Sequence, residues 1–194
     1  GHFMGSVALN FWNIEIAKGY NLLLALIMGL VLSQTASIAI NFTSKLLPKK
    51  KQLYLVIFAG VLASFLVGFA SNSNLGWYFF QNHTFKGFWY PDSTRFIERT
   101  IHEFPAYSFI VSDLHAHVWS FPIVLFLIIN IFVWLQAVQQ DRKKIVDFFK
   151  REFVLRSILI GIIFGVIVGT SAWDVAIYGL LLSILGIILL LIDF

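Results

Sequence analysis

An all-α, polytopic transmembrane helical bundle of about five spans, with a short interfacial amphipathic helix in an outer loop, is the fold class that this sequence predicts. Three observations lead there. The 194 residues are 59% hydrophobic and only 12% charged, which leaves too little polar surface to cover a soluble globule of this size. Their apolar residues gather in runs long enough to cross roughly 30 Å of hydrocarbon as helices. The Lys and Arg residues stand in short clusters beside those runs, where they act as determinants of topology.

Taken in chain order, Gly1-His2-Phe3-Met4-Gly5-Ser6 has neither an initiating Met nor a basic segment followed by an apolar one and a cleavage site. It reads as an expression scar or an internal cut. Apolar runs follow at about Tyr20 to Ile40, Leu53 to Ala70, Trp119 to Val138, Val154 to Thr170 and Val175 to Ile192. The second and fifth are near the short limit for a span. Because Leu180 to Ile192 is still apolar where the sequence stops, residues 1–194 are expected to be a single transmembrane region cut from a longer protein.

Counting crossings places Lys45-Leu46-Leu47-Pro48-Lys49-Lys50-Lys51 and the stretch Asp141 to Arg156 on one side, and their positive charge makes that side cytoplasmic. The N-terminal segment, the long loop 71–118 and the turn Ser171-Ala172-Trp173-Asp174 then face outward. That outer surface carries four basic residues (Lys18, Lys86, Arg95, Arg99) against six acidic ones (Glu15, Asp92, Glu98, Glu103, Asp113, Asp174), so charge and span count agree. Tyr20, Trp77, Tyr78, Trp89, Tyr90, Trp119 and Trp173 fall near the outer boundaries, where amphipathic rings favour the headgroup zone. A multi-pass protein of the plasma membrane, in contact with membrane lipids, is the expected setting.

Several functions are disfavoured at once. With no cysteine, thiolate metal sites and Cys nucleophiles are excluded, and any metal must be held by His, carboxylate or carbonyl groups. The net charge of +4 sits beside apolar spans, so no nucleic-acid partner is expected. Transport through the bundle would call for charged residues within the spans, and they have essentially none.

The outer loop carries the chemistry. Pro91-Asp92-Ser93-Thr94 offers N-cap residues and Pro105 a stop, so Thr94 to Phe104 is expected as a short helix. On a helical wheel Phe96, Ile97, Thr100, Ile101 and Phe104 share one arc, and Arg95, Glu98, Arg99, His102 and Glu103 the other. Lying on the membrane surface, such a helix would present Arg95 and Arg99 as a clamp for a phosphate. The plainer reading is a solvated face in which Arg95, Arg99 and Glu103 form weak i,i+4 pairs.

Next comes Asp113-Leu114-His115-Ala116-His117. Pro122 is tolerated only in a first turn, so the third span is expected to begin near Ser120, with Asp113 to His117 as extended chain before it. Extended, His115 and His117 point to one face and can chelate one metal, with Asp113 too far along to join them without a bend. Helical, Asp113 pairs with His117 and His115 turns away. Imidazole with carboxylate suits Zn or Mn better than Mg. The plainer reading is polar groups capping a span at the interface. Asp174 follows Trp173 in a turn assigned to the same face, where it is either part of this site or an N-cap of the fifth helix.

At these residues the sequence resembles the Chlor_Arch_YYY family of polytopic membrane proteins, a domain of unknown function. The matching elements are Phe88-Trp89-Tyr90 with Arg95, Ile101-His102-Glu103-Phe104-Pro105, Tyr107-Ser108-Phe109, Asp113-Leu114-His115-Ala116-His117 and Gly169-Thr170-Ser171-Ala172-Trp173-Asp174, with Ser73-Asn74-Leu75-Gly76 a looser match. Many members have proline where this sequence has Ala116. The resemblance implies a distant similarity to the GT-C glycosyltransferases, membrane enzymes that use polyprenyl-phosphate-linked sugars. Asp113, Glu103 or Asp174 would then be general base or metal ligand, and His115 and His117, with Asp113, would hold a divalent Mn, Mg or Zn ion. Arg95, Arg99, His102 and Trp173 would bind a lipid-linked sugar donor. The partners implied are that donor and either the remainder of a longer chain or other membrane subunits. The competing reading is a non-catalytic transport or assembly component whose outer loop is a structural or metal-stabilised cap.

Overall fold

A computed structural model describes residues 2–47, 52–70, 72–95, 97–140 and 151–192, leaving aside the side chains of 2–4, 137–140, 151–153, 189, 190 and 192. The described residues form eight α-helices and no strand: α1 (His2–Phe11), α2 (Ile16–Leu46), α3 (Leu53–Phe69), α4 (Asn74–Asn82), α5 (Pro105–Ile110), α6 (Ala116–Gln140), α7 (Arg151–Val168) and α8 (Ala172–Ile192), with a 3₁₀ turn at Tyr90–Thr94. The all-α class is as the sequence predicts, and a helix stands at each of the five apolar runs. By length and composition α2 and α6 can cross a membrane alone, and α3 with α4 makes a third span if the pair, bent by 72°, is one broken span. The apolar stretches Val154–Val168 and Ala172–Ile188 are shorter. The basic segments 48–51 and 141–150, on which the sidedness rests, lie outside the described residues.

The chain divides into two compact units, residues 17–118 and residues 1–16 with 119–194. In the first, α2 and α3 run antiparallel and approach closely, because the residues of α3 that face α2 are small. A Cβ built on Gly60 would lie 2.7 Å from Ile40 Cγ1, and one on Gly68 would collide with Leu32 Cδ2. Between them Ser64 Oγ donates to the Leu32 carbonyl at 2.8 Å. Gly60, Ser64 and Gly68 are thus a run of small residues every fourth position, a spacing that lets membrane helices pack backbone to backbone. Phe58, Val61 and Phe65 of the same helix remain largely exposed, as expected of a face solvated by lipid.

The loop after α3 is more ordered than the sequence suggests. Asn72 Nδ2 donates to the Ser93 carbonyl, and its Oδ1 accepts from the Asn74 N–H at 3.2 Å, so one side chain ties the start of α4 to the 3₁₀ turn. Thr94 Oγ1 donates to the Pro91 carbonyl at 2.7 Å, and Ser93 and Thr94 are buried.

The helix expected over Thr94 to Phe104 is not found among the described residues. The 3₁₀ turn ends at Thr94, Glu98 and Arg99 form a turn, and 100–104 is irregular, with the His102 N–H donating to the Thr94 carbonyl at 2.7 Å. Arg99 takes φ +63°, which interrupts a helix. Ile97 and Ile101, expected on the membrane-facing arc, are exposed on the protein surface, and Phe96 lies outside the described residues. The physical reason is Pro105. It occupies the first position of α5 rather than ending a helix, where its fixed φ and missing N–H cost nothing. Its ring forces Phe104 into extended geometry, φ −134° and ψ 154°. The short helix of the outer loop is therefore α5, one element later.

In the second unit, Val124, Leu127 and Ile131 of α6 pack against Ile160, Ile163 and Ile167 of α7, with Tyr178 and Leu182 of α8 closing the cluster. Both stripes follow the i, i+3, i+7 spacing of a helical seam. Contrary to expectation, Pro122 lies inside α6, which begins at Ala116 rather than near Ser120. A 3₁₀-like turn at 167–171 links α7 to α8.

Candidate functional site

Four of the predicted residues meet within the 17–118 unit, and the local fold explains why. After α5, Val111 caps the helix and Ser112 turns the chain with φ +57°. The Asp113 N–H returns to the Ser108 carbonyl at 2.9 Å. From α2, Tyr20 clamps this turn with one hydroxyl: it donates to the Ser112 carbonyl at 2.6 Å and accepts from the Leu114 N–H at 3.1 Å. Leu114 is buried beneath it. The short irregular stretch Asp113 to His115 then enters α6 at Ala116, so His115 stands just before the helix and His117 in its first turn.

Opposite them lies Glu103, delivered by the irregular stretch before α5. Glu103 Oε2 is 2.9 Å from His117 Nε2, and Glu103 Oε1 is 4.0 Å from His115 Nδ1. Asp113 Oδ2 is 2.7 Å from the same His115 nitrogen, and Ser108 Oγ is 3.4 Å from His117 Nε2. The two imidazoles lie 5.8 Å apart between centroids. The Glu103, Asp113 and His117 side chains are a quarter to a third exposed, and that of His115 is 60% exposed. Each carboxylate therefore holds one imidazole at hydrogen-bond distance, and a bound group can still reach the cluster from solvent.

Aromatic packing backs the site. Tyr90 stacks on Tyr107 of α5 at 5.6 Å with planes 6° apart, and Phe104 lies against both rings. Burial, and to a lesser degree the neighbouring Tyr107, raises the Tyr90 phenol above its usual range, so it stays neutral and serves as a packing ring.

The remaining predicted residues are placed differently. Asp113 contacts His115, as a bend in the chain permits, and Glu103 rather than Asp113 completes the pairing with both histidines. Arg95 is exposed, and Arg99 pairs at 3.5 Å with its neighbour Glu98 on a surface where both side chains are about nine-tenths exposed, not with Glu103 one turn away. His102 turns to the Thr100 hydroxyl, 3.2 Å from Nδ1. Trp173 and Asp174 belong to the other unit. There Ser171 Oγ accepts from the Asp174 N–H at 3.4 Å, which makes Ser171 the cap and Asp174 a first-turn acid of α8. Trp173 is exposed. Sequence reasoning missed Ser108 and the clamping role of Tyr20. Tyr20 drew notice only as an interfacial ring, since nothing local signals a contact across 92 residues.

Apolar helices with lipid-suited outer faces and a polar cluster in a connecting loop define a helical membrane protein. The chain belongs to the family described as Uncharacterized membrane protein (DUF2298), whose model matches residues 1–193. No curated protein and no solved structure matches it.

Proposed function

We propose that this protein is a multi-pass plasma-membrane enzyme, or the core of one, that transfers a sugar from a polyprenyl-phosphate donor at the outer face. In this reading the family is Chlor_Arch_YYY and a distant cousin of the GT-C transferases. The observation that carries it is the convergence of Glu103, Asp113, His115 and His117, two carboxylates each within 2.9 Å of an imidazole nitrogen. Interfacial polar residues acting only as caps have no need to converge.

In the proposed reaction an acceptor hydroxyl loses its proton to Asp113, whose other oxygen holds His115. The acceptor oxygen forms a bond to the anomeric carbon as the bond from that carbon to the donor phosphate breaks, and the electron pair leaves with polyprenyl phosphate. Arg95 and Arg99 would offset the charge on that phosphate, which suits two exposed guanidinium groups in one loop. His102, in the same loop, would support donor binding.

The test is transfer by the full-length protein with polyprenyl-phosphate sugars. Loss of a positioned general base lowers turnover by about 10²–10⁴-fold, so that drop is expected of Asp113→Asn, with a comparable loss for His117→Ala. Unchanged transfer in both variants would leave a non-catalytic transport or assembly component as the reading.

A further inference from the structure

We infer that Glu103, His115 and His117 form a binding site for a divalent transition-metal ion of the zinc class, with Asp113 as the carboxylate that orients His115. The inference deepens the proposed function wherever the ion assists transfer, but binding itself rests on geometry alone.

One ligand atom from each of the three residues lies within 4.8 Å of the other two. Ligands of a tetrahedral ion with bonds of about 2.0–2.1 Å stand roughly 3.3 Å apart. The 2.9 Å between Glu103 Oε2 and His117 Nε2 falls just inside that value, and His115, one ligand atom of which lies within 4.8 Å of both partners, closes the site by a shift of up to about 1.5 Å. Rotamer freedom supplies this for side chains with 25% to 60% exposure. A cation entering here would take the place of the direct contact between His117 Nε2 and Glu103 Oε2.

Asp113 sets the second histidine. With His115 Nδ1 donating to Asp113 Oδ2 at 2.7 Å, the imidazole lone pair falls on Nε2, the arrangement by which a carboxylate fixes the tautomer of a metal-binding histidine. Asp113 is in turn held by its own N–H on Ser108 and by the Tyr20 clamp on residues 112 and 114. Ligand, supporting carboxylate and backbone anchor thus form one series.

The donor set chooses the ion. Two imidazoles and one carboxylate suit Zn(II), Fe(II), Mn(II) and Co(II), whereas Mg(II) demands near-octahedral oxygen ligation. Three protein ligands leave a coordination position open, as in sites where the ion binds water or a substrate oxygen. An acceptor hydroxyl placed there would become more acidic, with Asp113 nearby to take its proton.

The experiment uses the full-length protein, purified in detergent and stripped with a chelator. Calorimetric titration with Zn(II) is expected to show one equivalent bound and no comparable uptake of Mg(II). His115→Ala and His117→Ala should each weaken binding by more than about tenfold, and Asp113→Asn by about 10–100-fold, the effect typical of supporting carboxylates. His83→Asn, at an exposed turn remote in sequence, should bind like the parent. Should the alanine variants fail to fold by size exclusion, Co(II) loaded into the parent decides by itself. Intense visible d–d bands of four- or five-coordinate cobalt support the site, and bands as weak as those of six-coordinate aqueous cobalt overturn it. Equal Zn(II) affinity in the parent and a folded His117→Ala also overturns it. Stoichiometric Zn(II) binding without sugar transfer removes the proposed reaction and keeps the metal site, whereas transfer without metal uptake does the reverse.

Discussion

Replacing Gly60 by Ala tests whether α2 and α3 are held by close approach of their backbones. The new Cβ would stand 2.7 Å from Ile40 Cγ1 and 2.8 Å from Cδ1, with the Ala36 carbonyl oxygen at 3.4 Å. Favourable carbon contacts lie near 3.5–4.0 Å, so Ile40 or the helix axis must yield by about an ångström. Overpacking of this kind costs about 1–3 kcal/mol, and the better helix propensity of Ala offsets roughly 1 kcal/mol of it. Net destabilisation should be about 1 kcal/mol, a fivefold shift in the unfolding equilibrium. Ile40→Ala alone should cost about 2–5 kcal/mol, yet it removes both Cγ1 and Cδ1, the two carbons that the new Cβ meets. The double variant should therefore recover at least about 0.5 kcal/mol relative to the sum of the singles, measured by equilibrium unfolding in mixed micelles. Strict additivity, or a Gly60→Ala protein more stable than the parent, would refute the packing argument.

Further consequences follow from single contacts. Tyr20→Phe removes a hydroxyl that serves both Ser112 and Leu114, so amide exchange at Leu114 should rise by about tenfold for roughly 1–2 kcal/mol lost; unchanged exchange would remove Tyr20 as the clamp. Ala116 stands at the first position of α6, where proline is favoured, so Ala116→Pro should retain Zn(II) binding and add about 0.4–1 kcal/mol to stability. Loss of binding would show that His115 needs a backbone conformation that a following proline forbids. Ser171→Ala should destabilise α8 by about 0.5–2 kcal/mol through loss of its cap, read from the thermal unfolding midpoint. A cysteine at Asn82, the last residue of α4, should react with an impermeant reagent on intact cells; labelling only after the membrane is opened would reverse the proposed orientation.

Hydropathy alone located α2, α3, α6, α7 and α8, but not the shorter α1, α4 and α5, because a long apolar run in a chain this poor in charge has few other ways to satisfy its backbone. The same reading passed over Gly60-x₃-Ser64-x₃-Gly68, whose spacing is visible in the sequence, since a hydropathy count takes glycine and serine as weak positions rather than as a contact surface. Within the outer loop, Glu103, Asp113, His115 and His117 were legible as residue types that bind metals or move protons. Their arrangement was less so. An extended chain through His115 and His117 puts both on one side, whereas His117 stands in the first turn of α6, and the partner that meets them, Glu103, falls by periodicity within a helix.

That reassignment turns on one proline. Had 94–104 been helical, Glu103 would have stood one turn from Arg99, and the two opposite charges would have faced each other across a solvated surface. Periodicity favoured this, since the apolar and charged residues separate cleanly at 3.6 residues per turn. Against it stood an eleven-residue segment holding β-branched Thr94, Ile97, Thr100 and Ile101, too short to be stable without tertiary support. Pro105 then decides the matter, because it forbids helical geometry at Phe104 and starts a helix of its own. Phe104 before it is extended, α5 is carried beneath the Asp113 turn through the Asp113 N–H to Ser108 bond, and the Glu103 carboxylate is left 2.9 Å from His117 instead of beside an arginine. The proline that seemed to end an interfacial helix is thus the residue that directs a carboxylate to the two histidines.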